Sequence, residues 1–435
     1  MEREGISRLL LRVNGLAVLR GVLASSVARD FLEVLDLLAP QEPDPAAIAG
    51  KLGRLWEGLA LDRDRLLSDA WRSHLVSRLL DGENAFSLGA ERGEISPPLA
   101  EQTSRDLRTL QWLFDLETGS LLRVVEDAVP GLKGVWVSWS DPGDEGLASP
   151  RHAVAGKLAA AEDWGGCVGL LAEHFARHGA GPFGRHRAFR WTENHLQAVS
   201  DPDPVRLADL VAYEREREPL IRNTEHFLAG LPAHHALLYG QPGTGKSSTV
   251  KAVMNEYADA GLRLVEVAKE DLGSLPRVLE ALRGRAPRFV IYVDDLSFEE
   301  HEVEYKALKA LLEGSVEEPP ENVRVYATSN RRNLIRERFS DRDEGDDVHA
   351  RDTMQEKLSL SARFGLRLTF PSPDQRRYLE IVSGLARGRG IEMPEEELEE
   401  RAILWDRWHA GRSGRTARQF VDELEAELAD GRGAL

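Results

Sequence analysis

The sequence has 435 residues, with 56 Lys and Arg against 73 Asp and Glu, for a formal net charge of −17. That length exceeds one ordinary hydrophobic core and predicts about two or three domains. The acidic balance excludes a protein whose main task is to coat nucleic acid, although abundant Arg leaves room for a local basic face.

A single cysteine, Cys167, excludes an internal disulfide and a cysteine-held metal, and suits a reducing compartment. At the amino terminus, charges at Arg12, Arg20 and Arg29 interrupt every apolar run. Neither a signal peptide nor a membrane span is expected there, and the default setting is cytoplasmic.

In chain order, the first third is predicted mainly helical. Apolar residues recur at helical spacing to about Ala39 and the pattern breaks at Pro40. Helical patterns resume in "DRLLSDAWRSHLVSRLL", in "LAEQTSRDLRTLQWLFDLETGSLLRVVEDA" and in "WGGCVGLLAEHFARH". Between the last two, "GVWVSWS" (Gly134 to Ser140) alternates like a short strand, and "DPGDEGLASP" is turn-rich. Trp56, Trp71, Trp112, Trp136, Trp139 and Trp164 read as core or packing residues before they read as a binding platform.

"DPDP" (Asp201 to Pro204) marks a linker, and the texture then changes. "HALLYG", "LRLVEVA", "RFVIYVD", "VRVYATS" and "LRLTF" are short apolar runs separated by helical stretches. Such runs predict a parallel sheet covered on both faces. "FPSPDQ" (Phe370 to Gln375) is a second boundary, followed by helices over about Asp374 to Arg387, Glu395 to His409 and Thr416 to Ala429. "FSDRDEGDDVHARD" (Phe339 to Asp352) is an acidic run, read as a solvated loop or a face for a basic partner.

The chemistry concentrates in "ALLYGQPGTGKSST". Gly240, Gln241, Pro242, Gly243, Thr244, Gly245, Lys246 and Ser247 fit G-x-x-x-x-G-K-[ST], with Ser248 next. Glycines let backbone N–H groups converge on an anion, and the helix opening near Lys246 adds its positive end. Lys246 supplies a cation for the outer phosphates, and the Ser247 hydroxyl is a ligand for Mg²⁺. The preceding strand and following helix supply the required context, so the expected ligand is a nucleoside triphosphate. "FVIYVDDL" brings a strand to its end at Asp294 and Asp295. Asp294 is the candidate on the metal side and Asp295 the candidate for orienting a water; the plain alternative is that either caps the next helix.

Taken with "RLADLVAYEREREPLIRNTEHFLAG", "DDLSFEEHEVEYKALKALLEG", "YATSNRRNLI", "EKLSLSARFGLRLTF" and "SGRTARQFVDEL", these motifs resemble the AAA+ ATPases. More narrowly they resemble a bacterial AAA family catalogued as a domain of unknown function. The resemblance covers about Arg206 to Leu428 and extends weakly upstream. It implies an α/β AAA+ module with a five-stranded parallel sheet, helices on both faces and a small helical lid, preceded by a mainly helical domain. Its expected boundaries are 1–200 for the helical, partner-binding region, 201–372 for the nucleotide-binding domain and 373–435 for the lid.

The resemblance further implies ATP and Mg²⁺ as cofactors, with Val211, Ala212 and Tyr213 nearest adenine. Ala212 stands where such sequences usually have Gly. Asn330 resembles the sensor that polarises water, with a turn-forming Asn as the alternative. Arg363 resembles an arginine finger delivered to a neighbouring subunit, with Arg331 and Arg332 as rivals. Arg415 resembles the second sensor, with Arg418 as its alternative. Asp295 stands where many relatives carry Glu; it is one methylene shorter, and Glu299 or Glu300 are candidates to compensate.

The implied activity is ATP hydrolysis, slow or dependent on assembly, by a homo-oligomer acting on an unknown protein client. A nucleotide-dependent scaffold and a helicase-loader-like ATPase stay open as alternatives. The region after the second strand, "VAKEDLGSLPRV", lacks the aromatic residue of protein-threading relatives. Nucleic acid stays open as a partner, without direct support in the sequence beyond paired aspartates like those of helicase loaders, and nothing points to a membrane.

Overall fold

The computed structural model describes residues 3–140, 149–298, 305–313, 319–330, 334, 360–409 and 411–430. Glu299, Glu300, Arg331, Arg332 and the acidic run 339–352 lie outside the described residues. The chain forms two compact units. One comprises Met1–Arg185 with Arg285–Pro287, the other His186–Gly284 with Arg288–Leu435.

The first unit is helical. Its helices include Ser26–Leu38, Pro45–Leu61, Ala70–Asp81 and Pro97–Phe114, and their apolar stripes meet in one core. Trp71 is fully buried, stacks on Phe31 with ring centroids 3.7 Å apart, and donates its indole N–H to Leu113 O at 2.8 Å. Trp56 and Trp164 are buried too, whereas Trp112 is partly exposed beneath the Arg12 guanidinium. Among the described residues, the expected strand at Gly134 to Ser140 is not formed, and its one pairing is an isolated bridge from Ser140 to Asp69. The reason is local. The Trp56 indole donates to Val137 O at 3.0 Å and the Ala70 N–H to Trp139 O at 3.0 Å, so helical neighbours satisfy the backbone that a strand partner would take.

The second unit is built on a sheet of seven strands, β1 (Ala188–Thr192), β2 (His195–Ala198), β3 (Ala236–Gly240), β4 (Leu262–Glu266), β5 (Arg288–Val293), β6 (Val323–Ser329) and β7 (Leu366–Phe370), in the order β2-β1-β4-β5-β6-β3-β7. Every pairing is parallel except β1 with β2. The five apolar runs read from the sequence are β3 to β7, and the expected count of five is corrected to seven. The additional pair is a hairpin whose two turn residues, Glu193 and Asn194, both take positive φ, the twist a two-residue hairpin needs. This hairpin lies upstream of the linker motif, so the sheet unit begins at His186, ahead of Asp201–Pro204. Helices Gln375–Gly388, Glu395–Trp408 and Gly414–Ala429 close the chain and share a core cluster with the sheet.

β3 lies between β6 and β7, which places the loop following it at the sheet's C-terminal edge, flanked by the tips of those two strands. His235 fixes its start. The ring Nδ1 accepts the Val325 N–H at 3.0 Å, and His235 O accepts the Leu366 N–H at 3.1 Å. Burial, with Arg324 and His234 adding positive charge, pushes the His235 pKa down to about 4. An Nδ1 acceptor requires the neutral ring. The unfolded imidazole takes up its proton near 6.5 and the folded one near 4, so stability present above pH 6.5 is lost as the pH falls from 6.5 towards 4. His235→Asn, whose amide oxygen can accept the same N–H, is expected to flatten this part of the curve. Urea midpoints measured against pH for both proteins check it.

Candidate functional site

β3 ends in Gly240, the loop runs to Gly245, and helix Lys246–Tyr257 follows. Two glycines are dictated by space. At Gly240, φ is +151°, and a Cβ would lie 2.0 Å from Phe370 O on the paired strand. At Gly243, φ is +76°, and a Cβ would meet Ser413 at 3.0 Å and Arg415 Cβ at 3.2 Å. The Lys246 ammonium donates to Gly240 O at 2.9 Å, Gln241 O at 2.8 Å and Asn330 Oδ1 at 3.1 Å. Burial lowers its pKa, and the carboxylates of Asp295 and Asp294 oppose that shift.

Asp294 follows directly on the last residue of β5. Its Oδ1 accepts the Ser247 hydroxyl at 2.7 Å and the Thr328 hydroxyl at 2.5 Å. Partial desolvation resists the charge on Asp294, but the hydrogen bonds from Thr328 and Ser247 outweigh it and hold the carboxyl below its ordinary value. Asp295 takes the left-handed conformation, φ +48°. Thr328 Oγ1 accepts its N–H at 2.9 Å, and Asn330 Nδ2 donates to its Oδ1 at 2.7 Å. A continuous chain thus runs from Ser247 through Asp294, Thr328, Asp295 and Asn330 to Lys246.

These groups line one cleft of about 450 Å³, within the size range of small-molecule sites. Pro242, Gly243, Thr244, Gly245, Lys246, Ser247, Ser248, Asp294, Asp295 and Asn330 all face it, as do Val211, Tyr213, Arg415 and Arg418. Gly240 and Gln241 frame it by accepting from Lys246. Ala212 is buried, takes φ +60°, and is not part of the lining. Tyr213 stacks on Phe370, donates to Pro371 O at 2.7 Å and lies under the Arg377 guanidinium. The closing helices form the far wall with Ile381 and Leu385, and the Gly414 N–H donates to Gly243 O at 2.8 Å. Arg363 precedes β7 and does not line this cleft.

Four contributors escaped the sequence reading. Thr328 carries a signal in hindsight: "TSN" places it two residues before Asn330 on a strand, hence on the same face. Arg217 is one helical turn beyond Tyr213. Ile381 and Leu385 are spaced i and i+4 on one lid helix, a pattern that marks a shared face without saying what it covers.

A family profile described as "Protein of unknown function (DUF815)" matches residues 184–428, more than half of the 435. The chain belongs to this family. Its order of parallel strands, the glycine loop after β3 and the closing helices match the AAA+ module that the sequence implies. Among curated proteins, it is similar to the 26S proteasome regulatory subunit 6B homolog of Encephalitozoon cuniculi, 27% identical over 37% of this chain and 41% of the relative. It is also similar to the replication factor C large subunit of Staphylothermus marinus, 41% identical over 16% of each chain. The chain spans about two fifths of the length of the first of these relatives. Among solved structures, the Thermotoga maritima RuvB Holliday junction branch migration motor aligns with a TM-score of 0.37 and 18% identity, covering 53% of this chain and 67% of that one. The FIGL-1 AAA domain in complex with ADP aligns with a TM-score of 0.35 and 19% identity, over 50% and 72%. Among the described residues, no helix is long and apolar enough to cross a membrane.

Among the described residues, Thr328 is the one side chain that hydrogen-bonds to both aspartates. Thr328→Val keeps its shape and removes both hydrogen bonds. Should Ser247 and Asp294 hold Mg²⁺ for phosphate release, the concentration needed for half-maximal release is expected to rise about tenfold or more, as for other residues that orient a metal ligand. Thr328→Ser is expected to restore it. The readout is phosphate release titrated with Mg²⁺.

Proposed function

We propose that this protein binds ATP with Mg²⁺, hydrolyses its terminal anhydride bond, and uses the cycle to remodel or load a client as a homo-oligomer in the cytoplasm. The observation that carries this reading is the Ser247–Asp294 contact of 2.7 Å beside the Lys246 ammonium. A hydroxyl and an ionised carboxylate meet at the mouth of a glycine loop that opens a helix. Mg²⁺ prefers oxygen donors and usually keeps phosphates and waters as its remaining ligands, so this pair fits it. Ser247 and Asp294 would hold the ion, which would neutralise charge on the phosphate oxygens.

The chain's own groups divide the remaining work. The loop amides and Lys246 bind the phosphates. Asp295 takes the proton of the attacking water, and Asn330, already bonded to Asp295 Oδ1, fixes where that carboxylate points. Arg415, on the helix whose start bonds to Gly243 O, couples the occupied cleft to the lid, with Arg418 beside it. Arg363, absent from its own chain's cleft, is assigned to a neighbouring protomer's site.

A nucleotide-dependent scaffold with little turnover is favoured by one feature: Asp295 is short and its carboxylate is tethered by Asn330 at 2.7 Å. Misplacement of a water by 1 Å costs roughly a hundredfold in rate. Phosphate release measured across protein concentrations, with nucleotide binding followed in parallel, separates the two. Turnover per protomer is expected to rise with concentration. Arg363→Ala should bind ATP normally and lose about 10³-fold or more of that turnover. Lys246→Ala should lose both. Negligible release at every concentration would establish the scaffold, and unchanged turnover in Arg363→Ala would remove the finger assignment.

A further inference from the structure

Arg217 stands in the wall of the same cleft. It is only 7% exposed. Among the described residues its guanidinium has one ion-pair partner, Glu214, at 3.3 Å, and the Glu214 side chain is itself 70% exposed. Five N–H donors in a fixed fork are thus set against one long, solvent-facing contact. Burial depresses the Arg217 pKa, and the carboxylates of Glu214 and Glu216 do not fully offset it. With one protein acceptor among the described residues, the guanidinium keeps N–H donors for an acceptor bound in the cleft.

Its position selects what that acceptor is. The Arg217 N–H donates to Tyr213 O at 3.0 Å, which fixes the residue one turn from the segment Leu210–Tyr213. That segment and the lid residues Ile381 and Leu385 give the cleft its apolar lining, while Lys246, Ser247 and Asp294 make its charged part. The apolar portion suits a flat heterocycle, whose faces are apolar and whose edge carries hydrogen-bond acceptors.

We propose that Arg217 is a specificity-determining residue whose guanidinium donates to a ring-nitrogen acceptor on the edge of a purine base. The proposal rests on the reading of the cleft as a nucleoside triphosphate site. Purines offer more ring-nitrogen acceptors than pyrimidines, so Arg217 favours ATP over CTP and contributes nothing to binding of a bare phosphate chain.

Calorimetric titration of ATP, CTP and inorganic tripolyphosphate into the full chain tests this. For Arg217→Met the expected result is a loss of about 10–100-fold in ATP affinity, the range for a hydrogen bond from a charged group. Tripolyphosphate affinity should be unchanged and the preference for ATP over CTP should shrink. Arg217→Lys keeps the charge without the fork and should lose part of the ATP affinity; it carries the test if Arg217→Met fails to fold, as judged by its thermal transition. Equal losses for ATP and tripolyphosphate would place the guanidinium on phosphate and overturn the proposal, as would unchanged ATP affinity in a folded variant. If the unsubstituted protein binds neither ATP nor tripolyphosphate, the nucleotide reading itself fails. If it binds both and Arg217→Met matches it, only the role of Arg217 fails.

Discussion

One carboxylate oxygen accepts two hydroxyls from two different elements. Ser247 at the opening of the loop helix and Thr328 near the end of β6 both donate to Asp294 Oδ1, at the end of β5. This junction ties the glycine loop to the two strands whose tips carry Asp294, Asp295 and Asn330. It also explains why Asp295 can hold a left-handed backbone: the Thr328 hydroxyl that donates to Asp294 accepts the Asp295 N–H. Such conformations persist where surrounding bonds over-determine them. Asn330 then sets the Asp295 carboxylate and reaches the Lys246 ammonium, so the orientation of each group depends on its neighbours.

The sheet makes that junction available. Parallel pairing of β3 with both β6 and β7 sends the loop and both strand tips to one edge, where ligands gather in open α/β sheets. His235 anchors one end of β3 and the Gly240–Phe370 approach tightens the other, where a Cβ would lie 2.0 Å from a carbonyl oxygen. The lid completes the arrangement through a backbone contact, from Gly414 N–H to Gly243 O.

The legible part of the sequence was the part under strong local constraint. Gly240, Gly243, Gly245, Lys246 and Ser247 announce a loop because only those types satisfy it, and an apolar run ending in two aspartates announces β5. The buried strands β3 to β7 were readable as short apolar runs. The hairpin β1–β2 was not, because its turn is Glu-Asn with no glycine and β2 is only 4 residues long, none of them buried. "GVWVSWS" showed the reverse failure: it alternates as a strand does, yet Val135 and Val137 are exposed and its backbone is bonded to an indole and a helix start. Thr328 and Arg217 were missed because each acts through a tertiary neighbour. A threonine in a strand and an arginine in a charged helix look ordinary until the fold shows what they face.

The central claim is that the loop, Ser247 and Asp294 together hold a triphosphate with its magnesium. Calorimetric titration of ATP with and without Mg²⁺, on the unsubstituted protein and on Ser247→Ala, tests it most directly. Mg²⁺ should tighten ATP binding to the unsubstituted protein and have little effect on Ser247→Ala. ATP binding indifferent to Mg²⁺ in both proteins, or absent from both, would contradict it.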